Sequence, residues 1–237
     1  MSKPIMTIVG FGPMGKRFAH LFSSDMDVRV SSSRNVADEV ASVGAVSIGD
    51  RGSALASSDY IFLAVPLKAL PDLIEEVNAV SRAGVVVIDC CSARVSAEKL
   101  LSRLDRRHFG IHDVIKGEYC ITGDINEEMT QFFCHHGIKI QCMTAEEHDR
   151  INAVIGLGHF IGLSLGQFLG DDEKAILSGM GSGSKVIALA NHFAGTSPTT
   201  WRETQVDNTF TRKKREDFIR ALIQYHDALS NGEYPFE

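Results

Sequence analysis

The chain has 237 residues, which suits one large domain or one and a half and is enough to bury a substantial core. With 44% hydrophobic and 23% charged residues, its composition is typical of an ordinary soluble globular protein. A formal net charge of −6 argues against a general nucleic-acid binder. No signal peptide precedes the first predicted strand, so we expect a cytoplasmic protein.

The cysteine pattern predicts neither disulfides nor a metal site. The five cysteines are odd in number and include no C-x-x-C pair, so they indicate reduced thiols in a reducing compartment. Cys134, His135 and His136 are adjacent and carry ligand atoms. Neighbouring residues on a helix point in different directions, so these three predict an exposed helix end.

A short apolar strand at residues 7–9 runs directly into a glycine turn and an amphipathic helix. Gly10 permits the tight turn, Gly12 lets the backbone approach a pyrophosphate, and Gly15 lets the helix pack closely on the strand. The amino end of the helix adds N–H groups and partial positive charge. The order of strand, turn and helix predicts a dinucleotide site, with a purely structural turn as the weaker alternative. The residues assigned to the cofactor are Gly10, Phe11, Gly12, Pro13, Met14 and Gly15.

The end of the second predicted strand, at residues 28–30, favours NADP. An NAD-binding fold has a carboxylate about 20 residues after the glycine turn, whereas an arginine nearby accommodates a 2′-phosphate. Here Ser32, Ser33 and Arg34 follow the strand, and no carboxylate does. These side chains can hydrogen-bond and pair with a phosphate. NAD stays possible, and the alternative is a polar loop with a solvated arginine.

Two apolar runs that follow predict strands buried on both faces of a parallel sheet. They are residues 59–66 and 85–89, with predicted helices before, between and after them. Val65 and Pro66 end the first run, at the sheet edge where ligands bind. Alternating strands and helices indicate right-handed βαβ units. We therefore predict an α/β fold: a Rossmann-type doubly wound parallel sheet with a smaller all-helical C-terminal domain.

Four motifs, taken with the glycine turn, make the chain similar to the prephenate/arogenate dehydrogenase family. They are Phe62–Pro66, Ile88–Arg94, Gly110–His112 and Glu146–Arg150, and the similarity extends to about Asn208. The chain resembles a short and divergent member. The resemblance implies an NAD(P)-dependent enzyme that oxidatively decarboxylates a cyclohexadienyl substrate in tyrosine or related aromatic biosynthesis.

The resemblance also assigns catalytic roles. His112, after a predicted strand at residues 108–111, matches the family histidine that binds the ring hydroxyl of the substrate. A histidine with a pKa near neutrality can accept that proton while hydride leaves for the nicotinamide. Ser92 matches the family serine that hydrogen-bonds and orients this histidine.

A long helix is predicted from a capping box, with Thr144 as N-cap and Glu147 at the third helical position, to about Phe168. One face of it carries His148, Asn152, Ile155 and His159, of which Asn152 and His159 are assigned to the substrate. His159 resembles the last histidine of the family's helix motif, and a core histidine is an equal alternative. Polar residues interrupt the apolar run, which argues against a membrane span.

Three positions depart from the family pattern. The first histidine of the family's helix motif falls at Gly156, and Lys185 stands for the arginine that binds the ring carboxylate. Lysine keeps the charge but loses the bidentate fork. Asp113 replaces a proline, and Lys116 is a second nearby cation assigned to the substrate. Such changes could tune the pocket for prephenate, arogenate, a 4-amino analogue or another compound.

The C-terminal third predicts helices over residues 173–190, 198–206 and 212–229, with a flexible break at 179–184. We predict a nucleotide-binding domain at 1–143 and a helical substrate and dimerisation domain at 144–237. The short helical domain would expose apolar surface alone, which predicts a homodimer through its helices. The basic run at 212–215 is predicted to be a solvated helix face.

Two other functions stay open from the sequence. One is an NADPH-dependent reductase of an imine or keto acid on a similar scaffold. The other is a nucleotide-binding regulator that has lost catalysis, which Gly156 and Lys185 would permit.

Overall fold

The computed structural model describes residues 2–115 and 117–233. The chain separates into two compact units, Met1–His148 and Asp149–Glu237. The boundary falls in the first turn of a long helix, whereas the predicted domain boundary precedes that helix.

The first unit contains a sheet with the strands β1 (Ile5–Val9), β2 (Asp27–Ser31), β3 (Val46–Ser47), β4 (Tyr60–Leu63), β5 (Val86–Asp89), β6 (Arg107–Ile115), β7 (Glu118–Gly123) and β8 (Lys139–Cys142). Its helices are α1 (Pro13–Phe22), α2 (Ala37–Ser42), α3 (Arg51–Ala56), α4 (Leu70–Val80), α5 (Arg94–Leu101) and α6 (Glu127–His135). A short 3-10 turn, Leu67–Ala69, precedes α4. Helix α7 (Ala145–Phe168) begins in this unit and continues into the second.

The strand order β3-β2-β1-β4-β5-β6-β7-β8 confirms the predicted doubly wound sheet. All neighbouring strands are parallel except β6 and β7, which are antiparallel. The chain reverses direction across the sheet between β1 and β4. Ligands bind at such a switch point, beyond the carboxyl ends of the strands.

Each face of the sheet has its own apolar core. Successive residues of a strand point to opposite faces, so Phe62 packs with the core that contains Phe18 of α1, and Ile61 packs with the core that contains Leu70 and Ile74 of α4. Strands β4 and β5 are buried along their whole length, as their continuous apolar runs predict.

The far edge of the sheet differs from the sequence prediction. The strand predicted at 108–111 extends over Arg107–Ile115, and β7 and β8 were not predicted. The first half of β6 pairs with β5, ending at Asp89 opposite Gly110. Beyond that point its partner is β7, with His112 opposite Cys120. His112 therefore lies in a strand that extends past the carboxyl end of β5.

The second unit is helical. Its elements after α7 are α8 (Asp171–Ser178), α9 (Gly183–Ala194), α10 (Pro198–Arg202), a π-helical turn (Glu203–Asp207) and α11 (Thr209–Ser230). The helical stretch predicted at 173–190 forms two helices, α8 and α9, which residues 179–182 separate within the break predicted at 179–184. The helix predicted at 198–206 is α-helical as far as Arg202, and the π-helical turn Glu203–Asp207 covers the rest of it.

Glycines of α7 let other helices approach its backbone. A Cβ at Gly156 would lie 2.7 Å from Cγ2 of Thr211, and one at Gly162 would lie 2.6 Å from Cδ2 of Phe193. Gln205 donates from its Nε2 to the carbonyl of Gly156 at 2.7 Å. A histidine at position 156 would displace buried Thr211, so close packing accounts for the departure at this position.

Among the described residues, α7 is the one helix long and apolar enough to cross a membrane by length and composition. A core helix passes the same test. In α7, 22% of the apolar stretch that passes this test is buried, and Gly156 and Gly162 contact Thr211 and Phe193 within the unit.

Alanine at two neighbouring glycines of α7 should have opposite effects. The Cβ that Gly158→Ala adds would meet only Cζ of Phe193, at 3.9 Å. The higher helix propensity of alanine should therefore raise the free energy of unfolding by up to about 1 kcal/mol. Gly156→Ala should lower it by roughly 1–2 kcal/mol, because overpacking against Thr211 exceeds that gain. Urea unfolding with an unchanged slope measures both values. Equal stabilisation by the two variants would contradict the packing argument.

Candidate active site

The glycine turn is built by two close backbone approaches. Gly10 has φ of +96°, and a Cβ there would lie 2.3 Å from the carbonyl oxygen of Ala64. A Cβ at Gly15 would lie 2.3 Å from the carbonyl oxygen of Gly10. Side chains at either position would force the turn away from β4 or from α1. Both contacts agree with the sequence-based roles of these glycines in the tight turn and the helix packing.

The middle of the turn faces open space. No described atom lies within 4 Å of a Cβ built at Gly12. Gly12 is also the N-cap of α1, with Pro13 and Met14 following. Within the described residues no side chain caps this helix end, and its first turn has no acidic residue. Unpaired N–H groups beside open space fit an anionic group such as a pyrophosphate.

The segment predicted to bind a 2′-phosphate lies against the glycine turn. Arg34 donates from Nη2 to the carbonyl of Phe11 at 2.7 Å, and its backbone N–H donates to Oγ of Ser32 at 3.2 Å. Ser33 is exposed between them. The folded chain thus brings two predicted parts of one cofactor site together, 23 residues apart in sequence.

The residues after β4 border the same turn. Cγ1 of Val65 would lie 3.2 Å from a Cβ at Gly10, and Val65 and Pro66 are both half-buried. The Sγ of Cys91, after β5, lies 3.7 Å from the carbonyl oxygen of Val65. The segments that follow β1, β4 and β5 therefore adjoin at the carboxyl edge of the sheet.

A fully buried arginine fixes the segment after β5. Arg94 donates from Nη1 to Oδ2 of Asp89 at 2.6 Å, from Nη2 to Oε1 of Glu98 at 2.9 Å, and from Nε to Oγ1 of Thr122 at 2.9 Å. Its guanidinium occupies the space beside Gly110, where a Cβ would lie 1.7 Å from Nη2. These contacts join β5, α5, β6 and β7 at one point.

The charges within this cluster are mutually stabilised. Burial lowers the pKa of the Arg94 guanidinium, but the charges of Asp89 and Glu98 outweigh it and raise that pKa above its ordinary value. Burial opposes ionisation of Glu98, yet hydrogen bonds from His108 and Thr122 and the charge of Arg94 lower its pKa to about 2. Both groups are therefore ionised at neutral pH.

Ser92 lies inside the segment that this cluster fixes. It is 6% exposed and stands between Asp89 and Arg94 in the chain. Its predicted role in orienting His112 stays a proposal.

His112 is half-buried and hydrogen-bonded to a second histidine. Its Nδ1 lies 3.0 Å from Nε2 of His148, in the first turns of α7. Burial, and then the charges of His148 and Arg94, lower the pKa of His112 to about 3. His112 is therefore a neutral imidazole at neutral pH, and its pKa lies well below the value near neutrality expected from the sequence.

His148 was not among the residues assigned to the site from the sequence. The signal was present, because this residue belongs to the Glu146–Arg150 motif and follows the capping box at the start of α7. That capping box is confirmed: the backbone N–H of Thr144 donates to Oε2 of Glu147 at 2.8 Å, and the N–H of Glu147 donates to Oγ1 of Thr144 at 3.2 Å.

Of the predicted substrate residues, three lie in the second unit. Asn152 is buried in α7, and Lys185 is exposed in the first turn of α9. His159 packs its ring on Phe193, with centroids 4.3 Å apart, and burial lowers its pKa. Among the described residues its Nδ1 has no hydrogen-bond partner. Lys116 lies outside the described residues.

Family models match both parts of the chain. Residues 5–93 match the model described as NADP oxidoreductase, coenzyme F420-dependent. Residues 144–236 match the model described as prephenate dehydrogenase, dimerization domain. A search of curated proteins found no match.

Solved structures share the fold at low identity. A prephenate dehydrogenase from A. aeolicus, in complex with hydroxyphenyl propionate and NAD+, has a TM-score of 0.79 and 16% identity over 98% of this chain and 92% of its own. Synechocystis arogenate dehydrogenase has a TM-score of 0.68 and 18% identity over 98% and 94%. An imine reductase from Bacillus cereus has a TM-score of 0.50 and 16% identity over 98% and 79%. The resemblance to NAD(P)-dependent dehydrogenases of the prephenate/arogenate type is therefore confirmed.

Alanine at two glycines of the turn should separate folding from cofactor binding. Gly10→Ala should lower the free energy of unfolding by roughly 2–4 kcal/mol, because it combines a positive φ with a clash against Ala64. Gly12→Ala should change stability by less than about 0.5 kcal/mol, since its conformation is extended and its surroundings are open.

Gly12→Ala should instead weaken dinucleotide binding about 10-fold, because the methyl group enters the space assigned to the pyrophosphate. Urea unfolding and dinucleotide titration measure the two effects. Wild-type affinity in Gly12→Ala would remove the pyrophosphate from this position.

Proposed function

We propose that this chain, which resembles the prephenate/arogenate dehydrogenases, is an NADP-dependent dehydrogenase that oxidatively decarboxylates a cyclohexadienyl substrate of the prephenate or arogenate kind. The observation that carries the proposal is a neutral histidine, His112, on the strand next to β5 at the sheet edge that also holds the glycine turn. A base and a dinucleotide site at one edge are what this chemistry requires.

The cofactor is held by residues whose geometry fits it. The glycine turn and the amino end of α1 bind the pyrophosphate, and Arg34 with Ser32 and Ser33 binds the 2′-phosphate. Val65 and Pro66 line the adjoining part of the site. When bound, the nicotinamide supplies the hydride acceptor.

His112 accepts the proton of the substrate's ring hydroxyl. Because the imidazole is neutral at neutral pH, its lone pair is available without prior loss of a proton. Ser92 orients the ring. Loss of the ring carboxylate as carbon dioxide leaves an aromatic product, which makes the reaction effectively irreversible.

The substrate carboxylates and ring are assigned to Lys185, Lys116, Asn152 and His159. Lys185 supplies a positive charge to the ring carboxylate without the fork of an arginine. Since Gly156 is required for helix packing, His159 is the histidine of α7 that we assign to the substrate.

In this proposal the protein is cytoplasmic, and its helical unit forms a homodimer. The match of residues 144–236 to a dimerization domain supports it. Helix α11 also exposes large apolar side chains, including Ile219, Leu222, Ile223 and Leu229. A partner's helices would bury them.

The second candidate is an NADPH-dependent imine or keto-acid reductase. The likeness in fold to the Bacillus cereus imine reductase favours it. A substrate without a ring hydroxyl would make no use of His112, which separates the two functions.

Arg34→Ala should weaken NADP binding by roughly 10- to 100-fold, the value of a charged hydrogen bond to a phosphate, and NAD binding by less than about 3-fold. Titration with each dinucleotide measures both affinities. Arg29→Ala is the matched control, because Arg29 lies in β2 and contacts Asp27 and Ser57. Equal losses for the two dinucleotides in Arg34→Ala would contradict the NADP assignment.

Purified protein should form NADPH from NADP with prephenate or with arogenate, followed by nicotinamide absorbance. His112→Gln should lower the turnover rate by roughly 10²–10⁴-fold, the range for loss of a general base, with dinucleotide binding unchanged. If NADP binds but neither substrate is oxidised, the result contradicts the proposed reaction. Imine-dependent NADPH oxidation that survives His112→Gln would support the reductase.

A further inference from the structure

His112 and His148 meet edge to edge. Their ring centroids are 5.1 Å apart at an interplanar angle of 69°, and Nδ1 of His112 faces Nε2 of His148 at 3.0 Å. His148 is fully buried, near the capped start of α7. A distance of 3.0 Å between two ring nitrogens is a hydrogen bond, so one of them carries the proton between them.

The position of that proton decides what His112 can do. A neutral imidazole has one N–H and one lone pair. If Nδ1 of His112 donates to His148, its Nε2 has the lone pair and can accept a proton. If Nε2 of His148 donates instead, Nε2 of His112 carries the hydrogen and cannot act as a base.

The surroundings of His112 keep it neutral. The charged or titratable groups that act on it are Arg94 from α5 and His148 from α7, and its cross-strand neighbour in β7 is Cys120. Asp89 and Glu98, two carboxylates of this region, are hydrogen-bonded to Arg94. With a cation nearby, His112 holds a single N–H, so its tautomer is the variable that matters.

We infer that His148 is a positioning residue that accepts the Nδ1–H of His112 and so leaves Nε2 of His112 as the proton acceptor. The catalytic consequence rests on the proposed function, whereas the tautomer is a property of the protein alone. His148 does not touch the substrate in this role. It acts through the orientation and tautomer of His112, as a second group does wherever a histidine base must present one particular nitrogen.

The tautomer is measured first, by ¹⁵N NMR of the wild-type protein with labelled histidines and no substrate. Comparison with His112→Gln assigns the resonances. The expected spectrum shows His112 protonated at Nδ1 and unprotonated at Nε2. A proton on Nε2 of His112 would overturn the inference, whatever reaction the protein catalyses.

Two variants then test the consequence. His148→Phe keeps the ring volume but removes the acceptor, and His148→Gln places an amide oxygen near the position of Nε2. His148→Phe should lower kcat about 10²-fold with KM changed less than about 3-fold, a smaller loss than the roughly 10⁴-fold seen when a charged tautomer-fixing group is removed. The kcat of His148→Gln should be at least about 10-fold higher than that of His148→Phe.

A merely structural role would impair both variants alike, and that result would overturn the inference. His135→Phe, at an exposed histidine of α6, is the matched control and should match the wild type. If the wild type oxidises neither prephenate nor arogenate, the proposed function fails while the NMR result still decides the tautomer. The wild-type spectrum also decides it if His148→Phe does not fold.

Discussion

The candidate site depends on one buried ion pair, between Arg94 and Asp89. Burying a charge is unfavourable unless the charge is paired and fully hydrogen-bonded. Removing one partner of a buried ion pair typically lowers the free energy of unfolding by about 3–5 kcal/mol. Arg94 meets that requirement with Asp89, Glu98 and Thr122, which come from three different elements. The space for its guanidinium exists because Gly110 has no side chain. The same contacts therefore hold the segment with Ser92 and the strand with His112 in one arrangement.

That arrangement also determines the electrostatics of the site. Burial lowers the pKa of His112 most, and the charges of His148 and then Arg94 lower it further. A neutral histidine has one free lone pair, and in the inferred arrangement the hydrogen bond to His148 selects the ring nitrogen that carries it. In the proposed mechanism, the arginine that fixes the backbone therefore also contributes to the lowered pKa of His112.

The helical unit follows a different constraint, which is close approach. Gly156 and Gly162 bring the backbone of α7 within contact distance of Thr211 and Phe193. Gly156 stands at the position where the family has a histidine. The departure is thereby explained by local packing. Binding of the ring carboxylate by Lys185 stays a proposal.

The sequence by itself determined the features that local geometry controls. The roles of Gly10 and Gly15, the buried strands β4 and β5 and the capping box at Thr144 follow from turn chemistry and periodicity within a few residues. Contacts between distant residues were decided only by the tertiary structure: the Arg94 cluster, the β7 partner of His112, and the bond from His112 to His148, 36 residues away. Burial and hydrogen bonding across such separations depend on which surfaces meet, and no local pattern encodes that.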